Sequence, residues 1–262
     1  MGIFVLSLHL MAQTAKTILP QKHFTTAWGG GWQMRKDSRF SPLTYSGIGA
    51  SLQTGYERQS EKWLKQFDVW GGFHFAQSRV RNGYNKIGYA SRGGLSYSAM
   101  RRIKADDSRF CWYLGGTVLG AVNFLYYGGN VNNQYSYNAP IGLGASTIIQ
   151  KNRRFWRRNL VFQSQLTMPV AAVNLRPTYI GFTNEDFLKA QTGFLSLHNW
   201  LYLDWRWSVE IPLSTGNKWR LIYRWEYSDD RQGGRLQSAA QTFLLQTVFN
   251  LPIRSQSKTP RL

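Results

Sequence analysis

The segment SLHNW sets Ser196 and His198 two residues apart. On an extended strand, residues i and i+2 lie on one face. A hydroxyl and an imidazole would then stand side by side, the arrangement that activates a serine nucleophile. The alternation of this stretch turns both toward its polar face, where two side chains lining an interior need no catalytic role. Asp68 and His74 also share a face, but six residues of strand separate them by about 20 Å, too far to bond. His74 and His198 together lack a third ligand for a metal. A single cysteine, Cys111, excludes an internal disulfide and a cysteine-based zinc site. The glycine-rich WGGGW at 28–32 has no following Lys-Ser/Thr or helix to make a phosphate loop, and reads as a bent or closely packed strand. No catalytic residue, metal or cofactor is expected.

The charged residues carry a clearer pattern. In KWRLIYRWEY, Trp219, Leu221, Tyr223, Trp225 and Tyr227 alternate with Lys218, Arg220, Ile222, Arg224 and Glu226. In LYLDWRWSVEI, Leu201, Leu203, Trp205, Trp207, Val209 and Ile211 alternate with Tyr202, Asp204, Arg206, Ser208 and Glu210. A helix would scatter these charges around its circumference; a strand gathers them on one face. Asp68 and Arg92 occupy the same kind of face in their own segments. Asp68, Arg92, Asp204, Arg206, Glu210, Arg220, Arg224 and Glu226 therefore mix both signs on an inward surface, with bulky Trp70, Trp200 and Tyr202 beside them. Buried charges without partners are costly, so this set is expected to form a connected ion-pair network rather than to line a water column.

The elements that must hold this surface are identified by CWYLGGTVLGAVNFLYYGG, residues 111–129, inside a run from Phe110 to Gln150 with no charged residue. As a helix it would offer Gly116 and Gly120 as a dimer face, yet it has only about the minimum apolar length for a bilayer helix. Read with period two, one face is apolar with aromatics at both ends. Aromatics at the ends of an apolar band suit the two interfaces of a bilayer. The same reading makes Trp112, Phe124, Trp205, Trp207, Trp219 and Trp225 lipid-facing.

The fold expected is all-β, an antiparallel transmembrane β-barrel of about ten strands (8–12), near 23–35, 43–58, 62–79, 87–103, 109–127, 136–150, 154–172, 194–212, 218–228 and 237–252. A soluble sandwich also alternates, but segments of about 15 residues exceed the usual strand of about 5–6, and long open edges would be exposed. Connections alternate between short and long. In outer-membrane barrels the short turns are periplasmic and the longer loops extracellular.

The apolar start, Ile3 to Met11 followed by Ala12, reads as a signal peptide over 1–12, leaving 13–253 for the barrel and 254–262 as a polar tail. The net charge of +19 would ordinarily raise nucleic acid as a partner; the organisation of the aromatics and glycines excludes that reading here. KNRRFWRR concentrates Lys151, Arg153, Arg154, Arg157 and Arg158 at an expected periplasmic turn near 151–153. Contact with lipid phosphates is its simplest role, an acidic partner or peptidoglycan the alternative. Arg79, Arg81 and Lys86, in an outer loop, could meet lipopolysaccharide phosphates.

With its signal-like start, alternating strands and terminal QTFLLQTVFNLPI, the chain resembles bacterial outer-membrane β-barrel proteins, in particular those of Bacteroidetes-type bacteria. The resemblance implies an outer-membrane location, contact with outer-membrane lipids and lipopolysaccharide, delivery by the barrel assembly machinery, and association with other envelope proteins. Lipid-modifying enzymes of that class place His before Ser on a strand, the reverse of Ser196 and His198. A structural, interaction or accessory role is the first expectation; a narrow channel or small-solute transporter, and a lipid-modifying enzyme, are the alternatives.

Overall fold

The computed structural model describes residues 21–78, 87–106, 110–128, 135–155, 158–177 and 190–252. The expected signal peptide, the polar tail and the outer-loop cations Arg79, Arg81 and Lys86 lie outside the described residues. Eleven strands follow one another: β1 (Gln21–Asp37), β2 (Thr44–Gln59), β3 (Trp63–Ser78), β4 (Ile87–Asp106), β5 (Phe110–Tyr126), β6 (Tyr135–Phe155), β7 (Arg158–Pro177), β8 (Ala190–Ser196), β9 (Trp200–Pro212), β10 (Lys218–Asp230) and β11 (Leu236–Leu251). Every pairing is antiparallel. β1 pairs with both β2 and β11, and β6 with β7, so the sheet closes on itself.

Ten positions surround the barrel because β8 and β9 share one. β8 pairs with Ala171 to Pro177 of β7, and β9 with Val161 to Thr167 of the same strand. The sequence reads 194–212 as one strand; the structure breaks it at 197–199. Asn199 makes the break, accepting from the Ser196 amide at 2.7 Å and donating to the Phe194 carbonyl at 3.2 Å. Opposite the break, β7 is bulged: Leu143 faces Ala171 while Gly144 faces Pro169, leaving Val170 over. The extra residue reverses the phase of β7. Gln165 and Thr167 are buried before it; Ala172, Asn174 and Arg176 are buried after it. Strand β7 thus runs on to Pro177, through residues that the sequence reading assigns to a loop.

A third difference concerns the basic segment. Instead of turning near 151–153, β6 continues to Phe155, which faces Arg158 of β7. β5 pairs no further than Lys151, and β9 no further than Val161. The end of this hairpin therefore projects past its neighbours.

Alternation fixes the two faces. Ile48, Leu52, Trp28 and Phe243 are each more than 60% exposed on the outer wall, while Tyr113, Met100, Leu125 and Ile148 are fully buried inside. An exposed apolar belt of this extent is stable only against hydrocarbon. Glycines let neighbouring strands close: a Cβ on Gly29 would lie 1.9 Å from the Phe243 carbonyl oxygen, and one on Gly94 would lie 2.7 Å from the Trp70 ring. Gly94, directly opposite Trp70 on the neighbouring strand, leaves room for that indole. Arginine at Leu52, halfway along β2, should lower unfolding stability in vesicles by about 2–4 kcal/mol, and arginine at Leu251 by no more than about 1. A urea titration giving equal losses would show that the belt is not centred on the bilayer.

Candidate functional site: the charged lumen

At the end of the barrel that carries Gln21 and Leu251, Arg220 of β10 reaches across the interior. Its two terminal nitrogens meet Glu57 of β2 at 2.7 and 3.2 Å and Glu210 of β9 at 3.0 Å, and it also donates to Gln246 at 2.9 Å. Lys218 adds a second contact to Glu210 at 2.7 Å. Such forked pairs are short and directional because the planar guanidinium matches the carboxylate.

At mid-height Asp204 accepts from two arginines. Arg224 binds it through Nε at 3.1 Å and Nη2 at 2.9 Å. Arg206 binds it at 2.9 Å and extends its other nitrogen to Asp68 on the opposite wall at 2.9 Å. Arg224 continues to Glu226 at 2.9 Å. Glu226 in turn meets Arg92 at 2.5 Å and the Tyr202 hydroxyl at 3.1 Å. Trp70 stands against both cations, its ring centroid 4.6 Å from the Arg224 guanidinium and 5.5 Å from that of Arg92. Desolvated cation–π contacts of this kind contribute about 2 kcal/mol. A row of hydroxyls lines the wall beside them: Ser98 to Thr117 at 2.7 Å, Thr117 to Ser146 at 2.5 Å, and Ser146 to Thr167 at 2.8 Å.

The eight residues singled out from alternation all point inward and take part in these two clusters. The sequence reading missed Glu57, although alternation through its strand places it inward. It also missed a third cluster at the other end of the barrel. There Asp37 pairs with Arg176 and accepts from Ser136 at 2.6 Å, and Arg35 donates to the same Ser136 at 2.9 Å. Asn174 donates to Asp230 at 2.9 Å. Arg176 also donates to the Gly234 carbonyl at 2.8 Å, tying the turn between β10 and β11 to β7. Nothing in the local pattern announces Asn174 and Arg176, because the bulge at Val170 turns them inward.

Of the aromatics assigned to lipid, Trp112, Trp205 and Trp219 are exposed on the outer wall. Phe124, Trp207 and Trp225 are half-buried against neighbours on the same wall. Two indoles satisfy their N–H groups across strands, Trp112 to Thr147 at 2.8 Å and Trp205 to Ser164 at 2.9 Å. Lys151, Arg153, Arg154 and Arg158 are exposed on the projecting hairpin; Arg157 lies outside the described residues. Ser196 and His198 do not share a strand face: Ser196 ends β8 half-buried, and His198 is exposed in the break. His74 is buried in the lumen, and neither of its ring nitrogens has a hydrogen-bond partner among the described residues. Among those residues no three His, Cys, Asp or Glu side chains gather as metal ligands.

The closed wall, its apolar belt and its polar interior can be set beside known structures. The outer-membrane protease OmpT of Escherichia coli superposes with a TM-score of 0.54 over 88% of this chain and 97% of its own, at 6% identity. This is the fold of a bacterial outer-membrane β-barrel. An outer-membrane channel of Pseudomonas putida F1 (TM-score 0.36, 8% identity, covering 87% of this chain and 96% of that one) and LpxR of Salmonella typhimurium (0.28, 8%, 87% and 99%) are more distant. No family model and no curated protein matches the sequence. The barrel belongs to the outer membrane of a Gram-negative envelope.

Asp204 is the carboxylate on which Arg206 and Arg224 converge. Asp204→Asn keeps its shape and removes its charge, so unfolding stability should fall by about 3–5 kcal/mol, as when one partner of a buried pair is lost. Denaturant titration of the refolded variant measures this; a loss under about 1 kcal/mol would mean that the two cations are stabilised elsewhere.

Proposed function

We propose that the protein is a plugged, non-enzymatic outer-membrane barrel with a structural, interaction or accessory role in the envelope. The observation that carries this reading is the set of side chains spanning the lumen from wall to wall, Arg206 to Asp68 and Arg220 to Glu57. Between them lies a cavity of about 20 Å³ walled by Gln53, Gln165 and Arg206, and another of about 30 Å³, walled by Trp70, Arg92 and Tyr202, lies beyond the mid-height cluster toward Arg35. Each accommodates about one or two waters. A diffusion channel needs a continuous water column, and these side chains stand in its way. A lipid hydrolase needs a nucleophile and base in reach of each other; Ser196 ends β8 and His198 lies in the turn after it, an arrangement that supports the non-enzymatic reading.

On this reading the partners are the membrane itself, lipopolysaccharide on the outer side, the barrel assembly machinery that receives the final strand, and further envelope proteins. The short-turn end, which carries Gln21 and Leu251, is periplasmic.

Purified wild-type protein in planar bilayers should give no steady conductance. Trp70→Ala combined with Tyr202→Ala removes the two bulkiest side chains beside the mid-height cluster and should produce measurable openings. Stable single-channel events from the wild type would overturn the plugged reading in favour of a channel.

A further inference from the structure

The outer wall is not convex everywhere. A cleft of about 720 Å³ indents it where β1, β11, β10, β9, β7 and β6 run side by side, a volume within the usual range of small-molecule sites. Its floor is a single cross-strand row: Trp28 faces Leu245, Leu245 faces Leu221, Leu221 faces Val209, Val209 faces Phe162, and Phe162 faces Lys151. The next row away from the termini is an aromatic shelf, with Trp207 stacked on Tyr223 at 5.5 Å and Tyr223 against Phe243 at 4.9 Å. Within the floor row the aliphatic Leu245, Leu221 and Val209 lie between Trp28 and Phe162 and below the aromatic shelf, and the step between floor and shelf is the hollow.

The apolar floor ends in a cation. Lys151 itself lines the cleft. Arg153 follows two residues on along the same face of β6, where the hairpin has left its neighbours behind. The barrel's acidic residues are largely committed elsewhere: Asp37, Glu57, Asp68, Asp204, Glu210, Glu226, Asp229 and Asp230, eight of thirteen, are in ion pairs on the inner wall or in the clusters at its ends. Neither Lys151 nor Arg153 has an ion pair among the described residues.

We infer that this cleft binds one anionic glycerophospholipid of the periplasmic leaflet. An acyl chain lies along Leu221 and Val209 beneath the Trp207–Tyr223–Phe243 shelf, and the phosphate meets Lys151 and Arg153. Acyl chains match a hollow lined by aliphatic and aromatic carbon, and a phosphate matches paired cations at its mouth. A protein segment would satisfy the floor equally well but gives no reason for cations at the membrane end of it. The inference uses the orientation proposed above only to name the leaflet; the binding itself does not depend on the lumen being plugged.

The test is native mass spectrometry of the protein extracted from vesicles of equal phosphatidylglycerol and phosphatidylethanolamine. The wild type should retain one phosphatidylglycerol in preference to phosphatidylethanolamine. Lys151→Gln and Arg153→Gln should each lower that preference by about fivefold. Val209→Trp fills the floor and should abolish the adduct while the heat-modifiable gel mobility of a folded barrel is kept; Leu245→Phe serves the same purpose if the tryptophan variant does not fold. Lipid retained at the bulk ratio by the wild type would overturn the inference. So would an adduct undiminished in a folded cleft-filled variant, or a lipid-free dimer of the chain. Phosphatidylglycerol selectivity lost on Gln substitution without any change in conductance would separate this site from the lumen reading.

Discussion

Lipid offers no donor or acceptor to a backbone amide or carbonyl, so every strand in the bilayer must bond both its neighbours. That requirement closes the sheet through β6 and β7 and removes its edges. It also dictates the composition of the two walls. The outer one must be apolar, and the inner one, walled off from hydrocarbon, becomes the only place where strand residues of the opposite phase can put polar groups. Inside the ten strand positions many of those groups satisfy one another.

The lumen shows how far that mutual satisfaction goes. Asp204 serves two arginines, Arg206 serves two carboxylates, and Arg220 serves two carboxylates and an amide. Three of the pairs, Arg206–Asp68, Arg220–Glu57 and Arg92–Glu226, tie β9 and β10 to β3, β2 and β4, walls that backbone bonding joins only indirectly; the others lie within β9 and β10 or between them. Strands β3 to β7 add a different filling beside these pairs, apolar clusters such as Leu64, Met100, Tyr113 and Ile148, and the hydroxyl row from Ser98 to Thr167.

The wall is irregular around β7, which pairs with β6, β8 and β9. Pro169 has no amide hydrogen to give, Val170 is bulged out, and Asn199 interrupts the facing strand. These features occur together because a bulge on one strand must be absorbed by its neighbour. Their consequence is the inward turn of Asn174 and Arg176, on which the third charged cluster depends.

Alternation along the chain was enough to determine that this protein is an antiparallel membrane barrel, and to sort Asp204, Arg224 and Trp70 from Trp205, Trp225 and Val69, because the side-chain period of a strand is two wherever the strand is regular. It was enough to fix which charges face inward, but not which meet, since Arg206 and Asp68 are 138 residues apart and their meeting depends on closure and register. Where the period failed, the sequence misled. SLHNW looked like a strand carrying Ser196 and His198 on one face, and KNRRFWRR looked like a turn. A bulge adds a residue without changing local composition, and a hairpin lengthens when neighbouring strands stop short of it. Both are decided by the pairing of strands in three dimensions. So is the cleft between Trp28 and Lys151, whose lining comes from six strands and has no counterpart in any one of them.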